Sequence, residues 1–141
     1  MLLGTPSRMN RLAGRVYGKR YSGLVALTAV FYKTPSGNEP VRAWLQGLPK
    51  GVRRTIGEDV AYVQRMWPIG KPLVDAFGEG LWEVRSTHDK SDYRVLFSIV
   101  GGKMYLLHGF MKQTAATPKA DKALAQQRLR DVKAHEKPAR R

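Results

Sequence analysis

Apolar side chains recur with two different periods between Leu27 and Val132, and each change of period marks an element. Leu27–Tyr32 is rich in residues that suit a pleated surface and predicts a short strand. Thr34–Asn38 predicts a loop that offers a helix cap, with Pro40 tolerated in the first turn that follows. Val41, Trp44, Leu45 and Leu48 then repeat at helical spacing until Gly47 and Pro49 interrupt the pattern. A second helix follows, with Val52, Ile56, Val60, Val63 and Trp67 on one face and Pro68 closing it. This helical hairpin needs a sheet to cover its apolar side.

The sheet is predicted next. Leu73–Phe77 is a weak strand or extended loop leading into Gly78-Glu79-Gly80. In Leu81–Ser86, Trp82 and Val84 alternate with Leu81, Glu83 and Arg85. In Tyr93–Val100, Val95, Phe97 and Ile99 alternate with Arg94, Leu96 and Ser98. Gly101-Gly102 is a short hairpin turn into a strand over Lys103–Met111. Tyr105-Leu106-Leu107 lacks polar alternation, which predicts a central strand covered on both faces. Thr117-Pro118 is read as the cap and start of a last helix, through Leu124, Ala125, Leu129 and Val132 to about His135. The fold class is α+β: a twisted, mainly antiparallel sheet with the helical hairpin on one face, plus a C-terminal helix. Trp44, Ile56, Val63, Trp82, Val84, Val95, Phe97 and Ile99 form its predicted inward set.

At 141 residues the chain can build one modest core. Residues 1–24 carry Arg8, Arg11, Arg15, Lys19 and Arg20 and no acid, with no long apolar run after them. They read as a disordered basic arm, a transit peptide or a gene-boundary artefact. The ordered domain is expected over 25–135, with a basic tail at 136–141, and the arm is expected to add little stability. Leu24–Tyr32 and Val95–Val100 are too short to span a bilayer, so a soluble, cytoplasmic protein without membrane contact is expected.

Charge narrows the function. Lys and Arg total 25 against 11 Asp and Glu, a net charge of +14, which favours polyanionic partners through counterion release. Cysteine is absent, so disulfides, thiol catalysis and Cys-ligated zinc are excluded. His88, His108 and His135 lack metal-ligand spacing, and neither metal nor cofactor is expected. If Trp82, Val84, Val95, Phe97 and Ile99 face the helices, Arg85 and Arg94 project from the opposite face, with Lys112 at the end of the next strand. Guanidinium forks match phosphate oxygens, so this trio is the candidate catalytic patch. Pairing of Arg85 with Glu83 or Asp92 as a purely structural device is the competing reading. Tyr93 and Tyr105 are candidate base-stacking residues, or core, and Lys103, Lys119 and Lys122 are candidate RNA contacts. By unbroken alternation His108 shares a side with Met104, Leu106 and Phe110, as a catalytic group or a packed core histidine.

The motifs LWEVR, YRVLF, LLHGFMKQT and TPKAD, in this order of elements, resemble the RelE/HigB toxin superfamily, nearest its phage-derived Gp49-like branch. The resemblance runs from about Val25 to Val132. It implies a toxin of a type II toxin–antitoxin system: a metal-independent endoribonuclease that cuts mRNA, commonly on the ribosome. It implies a partner antitoxin encoded alongside, often a helix-turn-helix protein. By position the family's basic residues fall on Arg85, Arg94 and Lys112, while Gln113 takes the place of a second basic residue. In the implied reaction the ribose 2′-OH attacks the adjacent phosphorus and cations stabilise the charge that develops. Glu83 is the carboxylate to test as general base, with orientation of Arg85 as its alternative role. A non-catalytic RNA-binding, ribosome-binding or antitoxin-docking module remains the competing function.

Overall fold

The computed structural model describes residues 26–136. Expectations for the N-terminal arm and for the tail beyond Glu136 lie outside the described residues. Strands β1 (Thr28–Phe31), β2 (Val74–Gly78), β3 (Leu81–His88), β4 (Ser91–Val100) and β5 (Lys103–Lys112) form one sheet in the order β1-β5-β4-β3-β2. β1 runs parallel to β5 and every other pairing is antiparallel. The β2–β3, β3–β4 and β4–β5 hairpins turn through two residues each: Glu79-Gly80, Asp89-Lys90 and Gly101-Gly102. All six have positive φ, which matches the right-handed twist of the flanking strands. Only the Gly-Gly turn was legible in advance. Asp89 and Lys90 adopt φ values of 48° and 67° without glycine's freedom.

Helices α1 (Pro40–Gln46) and α2 (Lys50–Met66) pack on one face of the sheet, as expected. Pro40 occupies the start of α1, where the missing N–H costs nothing. The expected cap from the preceding loop is not made: Glu39 is the N-cap residue and no side chain caps the helix. The Asn38 N–H donates instead to Thr34 Oγ1 at 3.0 Å, closing the loop on itself. Ile56, Val63, Val84, Val95 and Phe97 are buried in the core on this side, with Trp44, Trp82 and Ile99 packed around it. Trp67 stands edge-on to Trp82 and Phe97, with ring centroids 5.0 and 5.5 Å away. Full burial of each large apolar side chain contributes roughly 1.5–3 kcal/mol.

Asp59 of α2 accepts a hydrogen bond from Ser86 of β3 at 2.6 Å. Burial raises its pKa, with the nearby Glu58 charge adding to the shift and the Ser86 bond opposing it. A carboxyl raised above its unfolded value favours folding at low pH, and that advantage is lost as pH rises through the folded pKa. Asp59→Asn removes the ionisation and is expected to unfold at equal or higher denaturant than the wild type at neutral pH. The gain should disappear below the ordinary carboxylate range, near pH 3. A variant weaker at neutral pH than at acid pH would show instead that the ionised side chain holds Ser86.

The opposite face is only partly covered. Helix α3 (Lys119–His135) lays Ala125, Leu129 and Val132 on Tyr32, Leu81, Leu96, Tyr105 and Leu107. Tyr32 Oη donates to Asp131 and Tyr105 Oη to Glu136, each at 2.6 Å, and Arg128 Nη1 donates to the Leu107 carbonyl at 2.8 Å. Burial, followed by the Glu136 carboxylate, pushes the Tyr105 phenol up to about 12. Thr117 does not cap α3, whose N-cap residue is Pro118 without a side-chain cap. Its hydroxyl is used elsewhere.

Candidate active site

Cross-strand register assembles the candidate residues beside the start of α3. Glu83 of β3 lies opposite Leu96 of β4, which lies opposite His108 of β5. The next row is Arg85, Arg94 and Phe110, and the one beyond is Thr87, Asp92 and Lys112. Arg85 and Arg94 are therefore direct cross-strand partners, an arrangement unfavourable for like charges unless an anion sits between them. Glu83 supplies that anion. Its Oε2 is 3.7 Å from Arg85 Nε and 3.5 Å from Arg94 Nε, and its Oε1 accepts a hydrogen bond from Thr117 Oγ1 at 2.7 Å.

Burial separates the roles of the three charges. Glu83 is 2% exposed and Arg94 5%, whereas the Arg85 side chain is 36% exposed. Both carboxylate oxygens of Glu83 face donors, a placement that suits an orienting group better than a proton acceptor for an incoming ribose. Arg94 makes one hydrogen bond among the described residues, from Nη1 to the Tyr93 carbonyl at 3.1 Å, and its Nε, though ion-paired with Glu83, makes none. Burial lowers its pKa, Glu83 raises it, and Arg85 lowers it further. An arginine remains a cation under these conditions, so Arg94 is a buried charge with unused donor capacity.

The patch is less uniformly cationic than the sequence suggested. Asp75 pairs in register with Glu83, and both Asp75 and Asp92 act on Arg94 electrostatically. Asp92 accepts a hydrogen bond from Thr87 Oγ1 at 2.8 Å. Lys112 lies opposite Asp92 on the arginine face, but its ammonium donates to the Thr114 carbonyl and, at 2.7 Å, to that of Ala115. The β5–α3 connection thus occupies it.

His108 departs from the alternation argument. A bulge in β5 places Leu96 opposite His108 and Phe97 opposite Leu106, leaving Leu107 as the extra residue. His108 is thereby turned away from Met104 and Leu106, which lie in the hairpin-side core, and joins Phe110 on the arginine face. Its Nε2 is 2.6 Å from Asp121 Oδ1 in the first turn of α3, and its ring stacks on Phe110 with centroids 5.6 Å apart.

The residues proposed to contact RNA scatter. Tyr93 is buried on the hairpin side, where no base can reach it from the arginine face, so its stacking role is withdrawn. Tyr105 is buried under α3 and bonded to Glu136, which is also the ion-pair partner of Lys103 at 3.8 Å. Lys119 is exposed at the start of α3, and Lys122 Nζ lies 4.9 Å from the centre of the Phe77 ring. Sequence reasoning missed Phe110, Thr117 and Asp121. The signal for Phe110 was present, since it follows His108 by two residues in a strand; those for Thr117 and Asp121 were masked by their helix-start composition.

Comparison with known proteins adds to this geometry. No curated protein matches the chain. The family model for phage-derived protein Gp49-like (DUF891) matches residues 43–130, a span that runs from α1 through all of β2–β5 and into α3. With the α+β fold and its five-stranded mixed sheet, this match shows that the chain belongs to the Gp49-like family, a HigB-like member of the RelE superfamily.

Proposed function

We propose that this protein is the toxin of a type II toxin–antitoxin pair, an endoribonuclease that cuts mRNA, on the ribosome, without a metal ion. The observation that carries the reading is the Arg85–Arg94 pair. Two guanidinium groups are held side by side by one carboxylate, and Arg94 is buried with donors to spare. A phosphate between the pair relieves their mutual repulsion and supplies the missing acceptors. In the transition state the same cations meet the charge that builds on the nonbridging oxygens. Glu83 orients both arginines, His108 is the proton carrier, and the face of Phe110 offers a stacking platform for a base. Lys112, Lys119 and Lys122 extend positive charge along the path of the strand. The partner that holds the toxin inactive is a helix-turn-helix antitoxin encoded next to it.

Purified protein is expected to cut mRNA in a translation reaction and to cut single-stranded RNA in the presence of EDTA, leaving 2′,3′-cyclic phosphate ends. Cleavage of the single-stranded RNA that stops when EDTA is added would defeat the metal-free mechanism. A second reading, a non-catalytic RNA- or ribosome-binding module, draws support from Gln113 standing where a second cation is expected and from the carboxylates Asp75 and Asp92 near Arg94. Binding to ribosomes with no cleavage in either assay selects it.

A further inference from the structure

Thr117, just before the N-cap of α3, and Asp121, in its first turn, reach two different strands. Thr117 Oγ1 donates to Glu83 Oε1 on β3 at 2.7 Å, and Asp121 Oδ1 lies 2.6 Å from His108 Nε2 on β5. Glu83 and His108 occupy the same cross-strand row, separated by the width of β4. The entry to α3 therefore braces both ends of the row next to the arginine pair. We propose that Thr117 and Asp121 are positioning residues of the nuclease site, with Asp121 holding His108 so that its Nδ1 is the atom that exchanges a proton with RNA. The proposal rests on the ribonuclease reading above.

The chemistry follows from hydrogen-bond roles. Asp121 as a carboxylate only accepts, so the ring nitrogen facing it carries the proton and a neutral His108 leaves its lone pair on Nδ1. No hydrogen bond to Nδ1 is made among the described residues. Nδ1 takes the proton of the ribose 2′-OH as the O2′–P bond forms. The P–O5′ bond breaks, and the departing 5′-oxygen receives that proton from Nδ1, so the ring ends neutral. Stacking on Phe110 limits the tilt of the ring, and the Asp121 bond limits its rotation. The bulge at Leu107 makes this contact possible, since regular alternation turns His108 to the other face. A purely local role for Asp121 is the alternative: an acidic side chain in the first turn of a helix stabilises it through the macrodipole.

Three measurements on the full chain separate these roles. Asp121→Asn should lower kcat for RNA cleavage by at least about 10-fold, and by as much as about 10⁴-fold if the ring takes the wrong tautomer, with KM almost unchanged. Thr117→Val should lower kcat, and Thr117→Ser, which restores the hydroxyl, should recover it. Proton NMR of the wild type should show a downfield imidazole N–H resonance that disappears in His108→Ala and in Asp121→Ala. A wild type that cuts RNA but lacks this resonance, or an Asp121→Asn enzyme that loses thermal stability and keeps its kcat, overturns the positioning role and leaves the nuclease reading intact. A wild type that cuts no RNA overturns both.

Discussion

Replacement of Arg94 by alanine is expected to slow RNA cleavage by a factor on the order of 10²–10³, the cost of removing one preorganised donor from a developing anion. Arg140→Ala, a substitution in the basic tail, should leave the rate unchanged. Arg94 also neutralises Glu83 inside the fold, with Nε 3.5 Å from Oε2, and loss of one partner of a buried pair destabilises by about 3–5 kcal/mol. Thermal unfolding must therefore be followed alongside the rate. Arg85 provides the control that folding cannot confuse, because its side chain is 36% exposed and its ion pair is long at 3.7 Å. Arg85→Ala should melt close to the wild type and still lose most of its activity. Arg85→Lys should also be impaired, since a point charge does not reproduce a bidentate fork. A folded Arg85→Ala protein that cleaves at the wild-type rate would remove the arginine pair from the mechanism.

Gly109→Ala should be the most damaging single methyl group in the sheet. A Cβ at Gly109 would stand 2.3 Å from Trp44 Cε3 and 2.4 Å from Cζ3, where the six-membered ring of the α1 indole covers the β5 backbone. Gly109 sits in the ladder with β4, opposite Val95, and the indole packs against the hairpin-side core, so strand or ring must shift to admit the methyl group. Overpacking of this kind costs about 1–3 kcal/mol, read as a lower midpoint in chemical denaturation at unchanged slope. The same methyl group in a Trp44→Leu background should be much better tolerated. Equal losses in both backgrounds would mean that the backbone at Gly109, and not the indole, resents the side chain. Because Gly109 adjoins His108, a folded Gly109→Ala protein should also show reduced cleavage.

Much of the architecture was legible because it depends on properties that each segment carries by itself. Period-2 spacing placed Val84, Val95 and Phe97 under the helical hairpin and Arg85 and Arg94 on the reverse side, as the pleat requires. Period 3.6 located α2 and α3 with their apolar stripes, and Pro68 and Gly101-Gly102 marked ends and turns. The unalternating Tyr105-Leu106-Leu107 announced a strand with both faces covered, and it holds that place between β1 and β4. The hairpin turns at Glu79-Gly80 and Asp89-Lys90 went unread, since strand pairing there imposes positive φ on Glu79, Asp89 and Lys90, residues that do not advertise it.

What the sequence by itself determined, then, is which face of which strand each arginine occupies, because side-chain direction along a strand follows from the pleat and needs no partner. Tertiary structure alone decided what surrounds them. Registry between β4 and β5 inserts Leu107 as a bulge, and only that extra residue rotates His108 from the side of Leu106 to the side of Arg94. Docking of α3 on Leu96, Tyr105 and Leu107 then carries Thr117 to Glu83 and Asp121 to His108, across sequence separations of 34 and 13 residues. No local periodicity encodes such contacts. They arise where an apolar helix face finds an uncovered apolar part of the sheet, and the polar groups at its entry pair with what is already there.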